Sequence, residues 1–254
     1  TVKYGVLTVI FCLSATSKMQ HPELIVVVPV YNEAGRLQPM VAAWTATFER
    51  LQIGYVMRCY NDASTDTTGV VLQELTQKHA ALQVINNPVN RGHGPVLFQA
   101  YTEATGAAWV FQIDGDHELD CSAFEQLWQQ RHSYELLVGE RAVSHQNIFR
   151  KGITRVATTL VGAFFGRGVR DVNCPYRLLR TSFLQQALVY ITPDSFAPNV
   201  LLTAFAIRTN ARIRIAPVAP TGLLKQQGRW QPPWRMIRGS IAAALDLLWI
   251  RFKM

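Results

Sequence analysis

Cysteine is scarce in this chain of 254 residues, and the four that occur, Cys12, Cys59, Cys121 and Cys174, lie far apart. No Cys-x-x-Cys pair is formed, which excludes a cysteine-built metal cluster and argues against a disulfide framework. A reducing cytoplasm suits such a chain. Long apolar runs are also lacking. Tyr4 to Ala15 follows Lys3 and ends in small residues, like the core of a signal peptide, but it is too short to cross a bilayer. Met19 follows closely and a coherent pattern starts directly after it. Residues 1–19 therefore read as an N-terminal extension, with a short membrane-touching segment as the other reading. There is no Lys/Arg-rich tail and no nucleic-acid motif. The formal net charge of +8, gathered mostly after Arg141, thus points to phosphate-rich ligands or an acidic membrane surface rather than to nucleic acid.

What is present is an alternation of strand and helix patterns. Glu23 to Val30 is apolar and β-branched on both faces, as a central parallel strand requires. Leu37, Met40, Val41, Trp44, Phe48 and Leu51 recur at helical spacing. Tyr55 to Tyr60 reads as a second strand, and Thr65 or Asp66 can cap a helix that carries Val70 to His79. Leu82 to Asn86 is a third strand, Val96 to Ala107 a helix, and Val110 to Ile113 a fourth strand. Such alternation implies right-handed crossovers and a doubly wound α/β sheet whose strands end at one rim.

The fourth strand stops at Asp114-Gly115-Asp116, with Glu118 two residues on. Strand carboxyl ends are where open α/β sheets bind ligands. If the extended geometry continues, Asp114 and Asp116 share a face, and two carboxylates on one face repel unless a cation lies between them. Oxygen donors without Cys or paired His suit Mg²⁺ or Mn²⁺ rather than Zn²⁺. A polar turn with solvated acids is the other reading of the same residues.

Four motifs together make the pattern specific: Pro29-Val30-Tyr31-Asn32-Glu33, Asn61-Asp62-Ala63-Ser64-Thr65-Asp66, Asn90-Arg91-Gly92-His93-Gly94 and Asp114-Gly115-Asp116. Their order and spacing resemble those of family 2 glycosyltransferases. The resemblance implies a GT-A fold, a doubly wound mixed sheet flanked by helices, with a nucleotide-sugar across the sheet edge and Mg²⁺ or Mn²⁺ bridging its pyrophosphate. It places Asp114 and Asp116 as catalytic metal ligands, with Glu118 as a further one. Pro29, Tyr31, Glu33, Asp62, Gly92, Gly94 and Asp114 become the binding residues for a GDP- or UDP-hexose. Asn61 stands where the family usually has the first acid of an Asp-Asp pair.

The second half resembles the dolichyl- and polyprenyl-phosphate mannosyl- or glucosyltransferases within that family. Gly139-Glu140-Arg141 ends a strand that starts at Val138. Phe149 to Arg155 opens a helical stretch to Phe165, and Asp171 to Arg177 leads into another helix. The resemblance gives Arg141 a catalytic role, and with Arg150 and Thr154 it would grip an acceptor phosphate, a task that forked guanidinium groups suit. Relatives that glycosylate a hydroxyl need a carboxylate base, usually in a Glu-Asp pair. This chain has Pro193-Asp194-Ser195-Phe196-Ala197-Pro198-Asn199 in that region, and also lacks the acid that polyprenyl members often carry near Ala197–Asn199. A phosphate monoester needs no base, its second pKa being about 6. Arg212 to Val218 alternates as a final strand. Lys225 and Arg229 sit where the family has a basic loop over the pyrophosphate.

Trp234 to Met254 reads as an amphipathic helix, with Arg235, Arg238, Gly239, Asp246 and Lys253 on its polar stripe and Met236, Ile237, Ile241, Leu245, Leu248 and Phe252 on its apolar side. It suits a membrane interface, or packing on the sheet. The expected organisation is an extension over 1–19, a GT-A domain over 20–220 (donor half 20–120, acceptor half 121–220), and a basic loop with the C-terminal helix over 221–254. The expected activity is inverting hexose transfer to a polyprenyl phosphate at the cytoplasmic membrane face. Transfer to a saccharide hydroxyl is the alternative, as is a non-catalytic nucleotide-sugar-binding module.

Overall fold

The computed structural model of the chain describes residues 22–141, 159, 162, 169, 171–222 and 233–253. The expectations for residues 1–19 and for Arg150, Thr154, Lys225 and Arg229 fall outside that set. From its N-terminal side the order is β1 Leu24–Val30, α1 Ala34–Arg50, β2 Tyr55–Asn61, α2 Thr68–Lys78, β3 Leu82–Asn86, α3 His93–Glu103 and β4 Trp109–Gln112. It continues with α4 Phe124–Gln130, β5 Leu136–Arg141, β6 Arg177–Arg180, α5 Thr181–Leu188, α6 Pro198–Arg208, β7 Ile213–Val218 and α7 Pro233–Lys253.

Among the described residues one seven-stranded sheet runs in the order β3-β2-β1-β4-β6-β5-β7. β6 is antiparallel to both of its neighbours, and the other adjacent pairs are parallel. The carboxyl ends of β1, β2, β3, β4 and β5 therefore share one rim. The strand order reverses between β1 and β4, which opens a crevice there, as at other topological switch points.

β6 is the strand that sequence reading passes over, taking Arg177 straight into a helix. It has four residues, Arg177-Leu178-Leu179-Arg180, the first three of them buried, so neither length nor alternation marks it. Its place is decided by pairing, with Gln112 opposite Arg177 on one side and Val138 opposite Arg177 on the other.

All seven residues of β1 are buried. Trp44 of α1, Phe111 of β4, Phe124 of α4 and Tyr176 cluster with ring centroids 4.7–5.7 Å apart. This cluster fastens α1 and α4 to the sheet directly below Asp114. Each such aromatic pair is worth roughly 0.5–1.5 kcal/mol beyond the area it buries.

The last helix forms where its pattern predicts, and two residues of its expected polar stripe face the domain. Gly239, expected on the outward polar stripe, is buried, and a Cβ there would lie 2.4 Å from the Phe196 ring. Asp246, from the same stripe, accepts a 3.0 Å hydrogen bond from Ser195 Oγ. Leu247 and Ile250 are buried beside them, while Leu245, Trp249 and Phe252 are exposed at 60%, 37% and 86%. Close approach at a glycine and one buried hydrogen bond outweigh the apolar stripe in setting which face packs.

Candidate active site

At the end of β1 the chain turns through Asn32 at φ 57°. That residue is held across the rim, its backbone N–H donating to Ser64 Oγ at 3.0 Å and its Oδ1 accepting from the Thr65 N–H at 2.8 Å. Glu33 stands at the start of α1, but its side chain makes no capping hydrogen bond, and its backbone N–H donates to Thr68 Oγ1 at 2.9 Å. Burial raises the Glu33 carboxyl above its ordinary pKa; Arg36 opposes this, and Asp114, Asp66 and Glu118 reinforce it. Glu33 thus belongs electrostatically to the acid cluster.

At the end of β2, buried Asn61 explains why an amide replaces the usual acid. Its Nδ2 donates to Asn86 Oδ1 at 2.8 Å while its Oδ1 accepts from the Ser64 N–H at 3.1 Å. A carboxylate cannot make the first of these bonds. Asp62 is also buried, and its two carboxylate oxygens accept from the Arg91 and Gly92 backbone N–H groups at 2.9 and 2.8 Å. It clamps the loop after β3 against the end of β2. Burial opposes ionisation of Asp66, but hydrogen bonds from Thr68 and backbone donors win and keep its pKa low; its Oδ1 accepts from the Thr68 N–H at 2.9 Å.

The two loop glycines have different reasons. Gly92 has φ +89°, a left-handed backbone that suits glycine, and nothing lies within 4 Å of its Cβ direction. Gly94 is close to protein rather than to open space: a Cβ there would meet the Ser195 carbonyl oxygen at 2.1 Å and the Phe196 carbonyl oxygen at 2.7 Å.

Beyond β4, Asp114 Oδ1 accepts from Gln112 Nε2 at 3.1 Å. Gly115 lets the turn cross β1, since a Cβ there would sit 3.1 Å from Val30 Cγ2 and 3.3 Å from the Pro29 carbonyl oxygen. Asp116 Oδ1 accepts from the Glu118 N–H at 3.1 Å, and its carbonyl oxygen accepts from Arg36 Nη1 at 2.8 Å. Burial, then Asp114 and Glu118, push the Asp116 carboxyl up to about 7. His117 follows at φ 51°, buried; its surroundings, and then Arg36, push its pKa down. His117 Nδ1 has no hydrogen-bond partner among the described residues. Asp114, Asp116, His117 and Glu118 line one small cleft with Trp44, Pro175 and Tyr176.

Among the described residues no three His, Cys, Asp or Glu side chains converge into a ready-made metal cage. The donor set nevertheless fits a hard cation. Mg²⁺ and similar ions are commonly held by one or two carboxylates together with substrate phosphates, and the charge crowding that raises Asp116 is what a divalent ion would relieve.

Arg141 ends β5 at the same rim, where Asp171 holds it by two bonds: Nε to Oδ2 at 2.7 Å and Nη2 to Oδ1 at 3.0 Å. Burial opposes its charge, but those bonds raise its pKa above the ordinary arginine value. The structure thus brings Pro29, Tyr31, Glu33, Asp62, Gly92, Asp114, Asp116, Glu118 and Arg141 to one rim, with Gly94 in the layer behind. Sequence reasoning overlooks Arg36, Gln112, Asp171 and Asn199. Gln112 carries the clearest signal, a polar residue inside the apolar run Trp109 to Ile113.

Comparison with known proteins bears on the family and the fold. The profile of glycosyl transferase family 2 matches residues 25–188. A dolichyl-phosphate beta-glucosyltransferase of Drosophila melanogaster is 25% identical over 249 residues, covering 91% of this chain and 75% of the relative. Another, from Trichomonas vaginalis, is 24% identical over 201 residues, covering 70% of this chain; the match spans 58% of that relative's length. Among solved structures, glucosyl-3-phosphoglycerate synthase of Mycobacterium tuberculosis, in complex with Mn²⁺, uridine diphosphate and phosphoglyceric acid, superposes with a TM-score of 0.65 at 17% identity, covering 91% of this chain and 78% of that one. The fold is GT-A.

Proposed function

The chain belongs to glycosyl transferase family 2, and from that premise we propose that it transfers a hexose from a nucleoside diphosphate sugar to a polyprenyl phosphate, with inversion. The carrying observation is the acid cluster of Glu33, Asp114, Asp116 and Glu118 at the switch point, crowded enough to hold Asp116 near 7. The donor's nucleoside end lies along Pro29, Tyr31 and Asp62, with its pyrophosphate towards Gly92 and Asp114, and Lys225 and Arg229 are assigned to close over it. Asp114 and Asp116, with Glu118 beside them, would hold a Mg²⁺ or Mn²⁺ ion, which would supply Lewis-acid stabilisation for the departing diphosphate. Arg141 orients the acceptor phosphate, with Arg150 and Thr154. An acceptor phosphate oxygen attacks the anomeric carbon opposite the leaving group; the new C–O bond forms as the bond to the diphosphate breaks.

One observation supports a phosphate over a hydroxyl acceptor: Asp194, the acid nearest the place of a hydroxyl-activating base, is exposed rather than set in the rim. A hydroxyl acceptor needs a base, and a phosphate dianion does not. No helix among the described residues is long and apolar enough to cross a membrane. α7 presents Leu245, Trp249 and Phe252 outwards, with Lys253 Nζ 4.2 Å from the Trp249 ring centroid, which suits peripheral contact with a lipid surface.

The test is transfer from radiolabelled UDP- or GDP-hexose with Mn²⁺, offered a short polyprenyl phosphate in one tube and a glycan primer in another. Label in the lipid fraction is expected. Label confined to the glycan would replace the acceptor assignment, and neither transfer nor donor hydrolysis would leave a nucleotide-sugar-binding module. Asp116→Ala should lower turnover by at least about 100-fold at saturating donor, since several kcal/mol of transition-state stabilisation depend on the metal site.

A further inference from the structure

Behind Asp114 lies a buried polar chain that neither the fold nor the donor site requires. Gln112 is fully buried in β4, and Asn199 of α6 and Tyr101 of α3 are buried beside it. Tyr101 OH donates to Asn199 Oδ1 at 2.8 Å, Asn199 Nδ2 donates to Gln112 Oε1 at 3.0 Å, and Gln112 Nε2 donates to Asp114 Oδ1 at 3.1 Å. Every bond runs the same way, towards the carboxylate. The direction is forced by chemistry. A carboxylate only accepts, so Gln112 turns its nitrogen to Asp114 and its oxygen to Asn199; Asn199 then donates to that oxygen and leaves its own oxygen for the Tyr101 hydroxyl to donate to.

The far end is also fixed. Thr203 Oγ1 donates to the Asn199 carbonyl oxygen at 2.9 Å and accepts from Arg177 Nη1 at 2.9 Å. Arg177, wholly buried, anchors its other nitrogens on the Cys174 and Val172 carbonyl oxygens at 2.8 and 2.5 Å. A second donor stands in reserve, since Tyr101 OH is also 3.1 Å from Gln112 Oε1.

We propose that Gln112 is a positioning residue for Asp114, and that Asn199 and Tyr101 together fix the orientation of its amide so that nitrogen, never oxygen, meets the carboxylate. The inference rests on the reading of Asp114 as a metal ligand. Partners behind a metal ligand typically contribute about 10–100-fold in affinity. Position 199 supplies a donor to Gln112, which an ionised acid there could not.

The experiment is Mn²⁺ binding to the purified full chain, followed by the loss of the free-ion electron paramagnetic resonance signal, with thermal melting as the folding control. Gln112→Met, close in size but without a donor, should weaken Mn²⁺ about tenfold or more. Asn199→Ala and Tyr101→Phe should each weaken it less than about threefold, because the other still donates to Gln112 Oε1. The double variant should fall to the Gln112→Met level, a coupling that mere packing loss would not produce. If Gln112→Met does not fold, the double variant carries the test alone. Wild-type affinity in Gln112→Met, or a double variant no worse than the product of the two singles, overturns the proposal. Binding that is absent in the wild type, or unchanged in Asp114→Ala, overturns the metal reading itself and this proposal with it.

Discussion

Asp116 shows how a single residue trades stability for chemistry. Its carboxyl sits at about 7 in the folded chain against an ordinary value of 3.8, first because of burial and then because of Asp114 and Glu118. Between those values the unfolded chain has released a proton that the folded chain retains, so stability is greatest below the lower value and is lost as pH rises towards the upper one. Without divalent metal, thermal melts from pH 4 to pH 8 should show a falling Tm, and Asp116→Asn should flatten that fall while abolishing transfer. For a chain of this size each 1 kcal/mol recovered appears as roughly 2–4 °C. An unchanged pH profile in Asp116→Asn would show that the acids at this rim are not crowded. The same crowding is what a divalent ligand relieves, so added Mn²⁺ should raise Tm most at the alkaline end.

At the scale of elements, α7 is informative because part of its apolar side faces out. A helix on a water-exposed surface normally turns its apolar stripe inwards. Here Gly239, Asp246, Leu247 and Ile250 face the domain, while Leu245, Trp249 and Phe252 face out. Helical spacing of 245, 249 and 252 makes that outward patch continuous. Leu245→Ser with Phe252→Ser should reduce co-sedimentation with vesicles containing anionic lipid by at least severalfold and leave Tm nearly unchanged, because neither side chain is in the core. Equal sedimentation of variant and wild type would remove the lipid surface as the partner of this face. Gly239→Val should instead lower Tm, since its side chain would displace the Phe196 ring.

Across the whole molecule, the N-terminal and C-terminal parts of the chain are joined by more than the shared sheet. The Glu118 carbonyl oxygen accepts from the Thr221 N–H, the Ala219 carbonyl oxygen from the Asp120 N–H, and α3 meets α6 through Tyr101 and Asn199. Gly94 is the tightest of these joints, its α-carbon lying against the Ser195 and Phe196 backbone. Gly94→Ala should therefore cost about 1–3 kcal/mol through overpacking, and it should raise the donor KM by shifting the loop that Asp62 clamps. Gly92→Ala, with open space around it, carries only the cost of a backbone at φ 89° and ψ 162° that is essentially reserved for glycine, about 1–3 kcal/mol. Denaturant midpoints of the two variants check both effects; no loss at Gly94 would contradict the contact geometry.

Periodicity, strand ends and motif order were enough to locate β1 to β5, β7, the last helix, the rim and the acid motif, because those signals are local: an apolar run ends, a carboxylate follows, and the alternation of elements fixes the edge. Other features only the folded chain decided. β6 exists through its neighbours on both sides, the outward face of α7 through a glycine meeting a distant ring, and the partner of Arg141 through Asp171, thirty residues on in sequence. Gln112 and Asn199 are polar residues whose value depends on what stands opposite, and burial in a common layer brings them together. Contacts between residues distant in sequence depend on complementary shape and hydrogen-bond direction, which no run of neighbouring residues encodes.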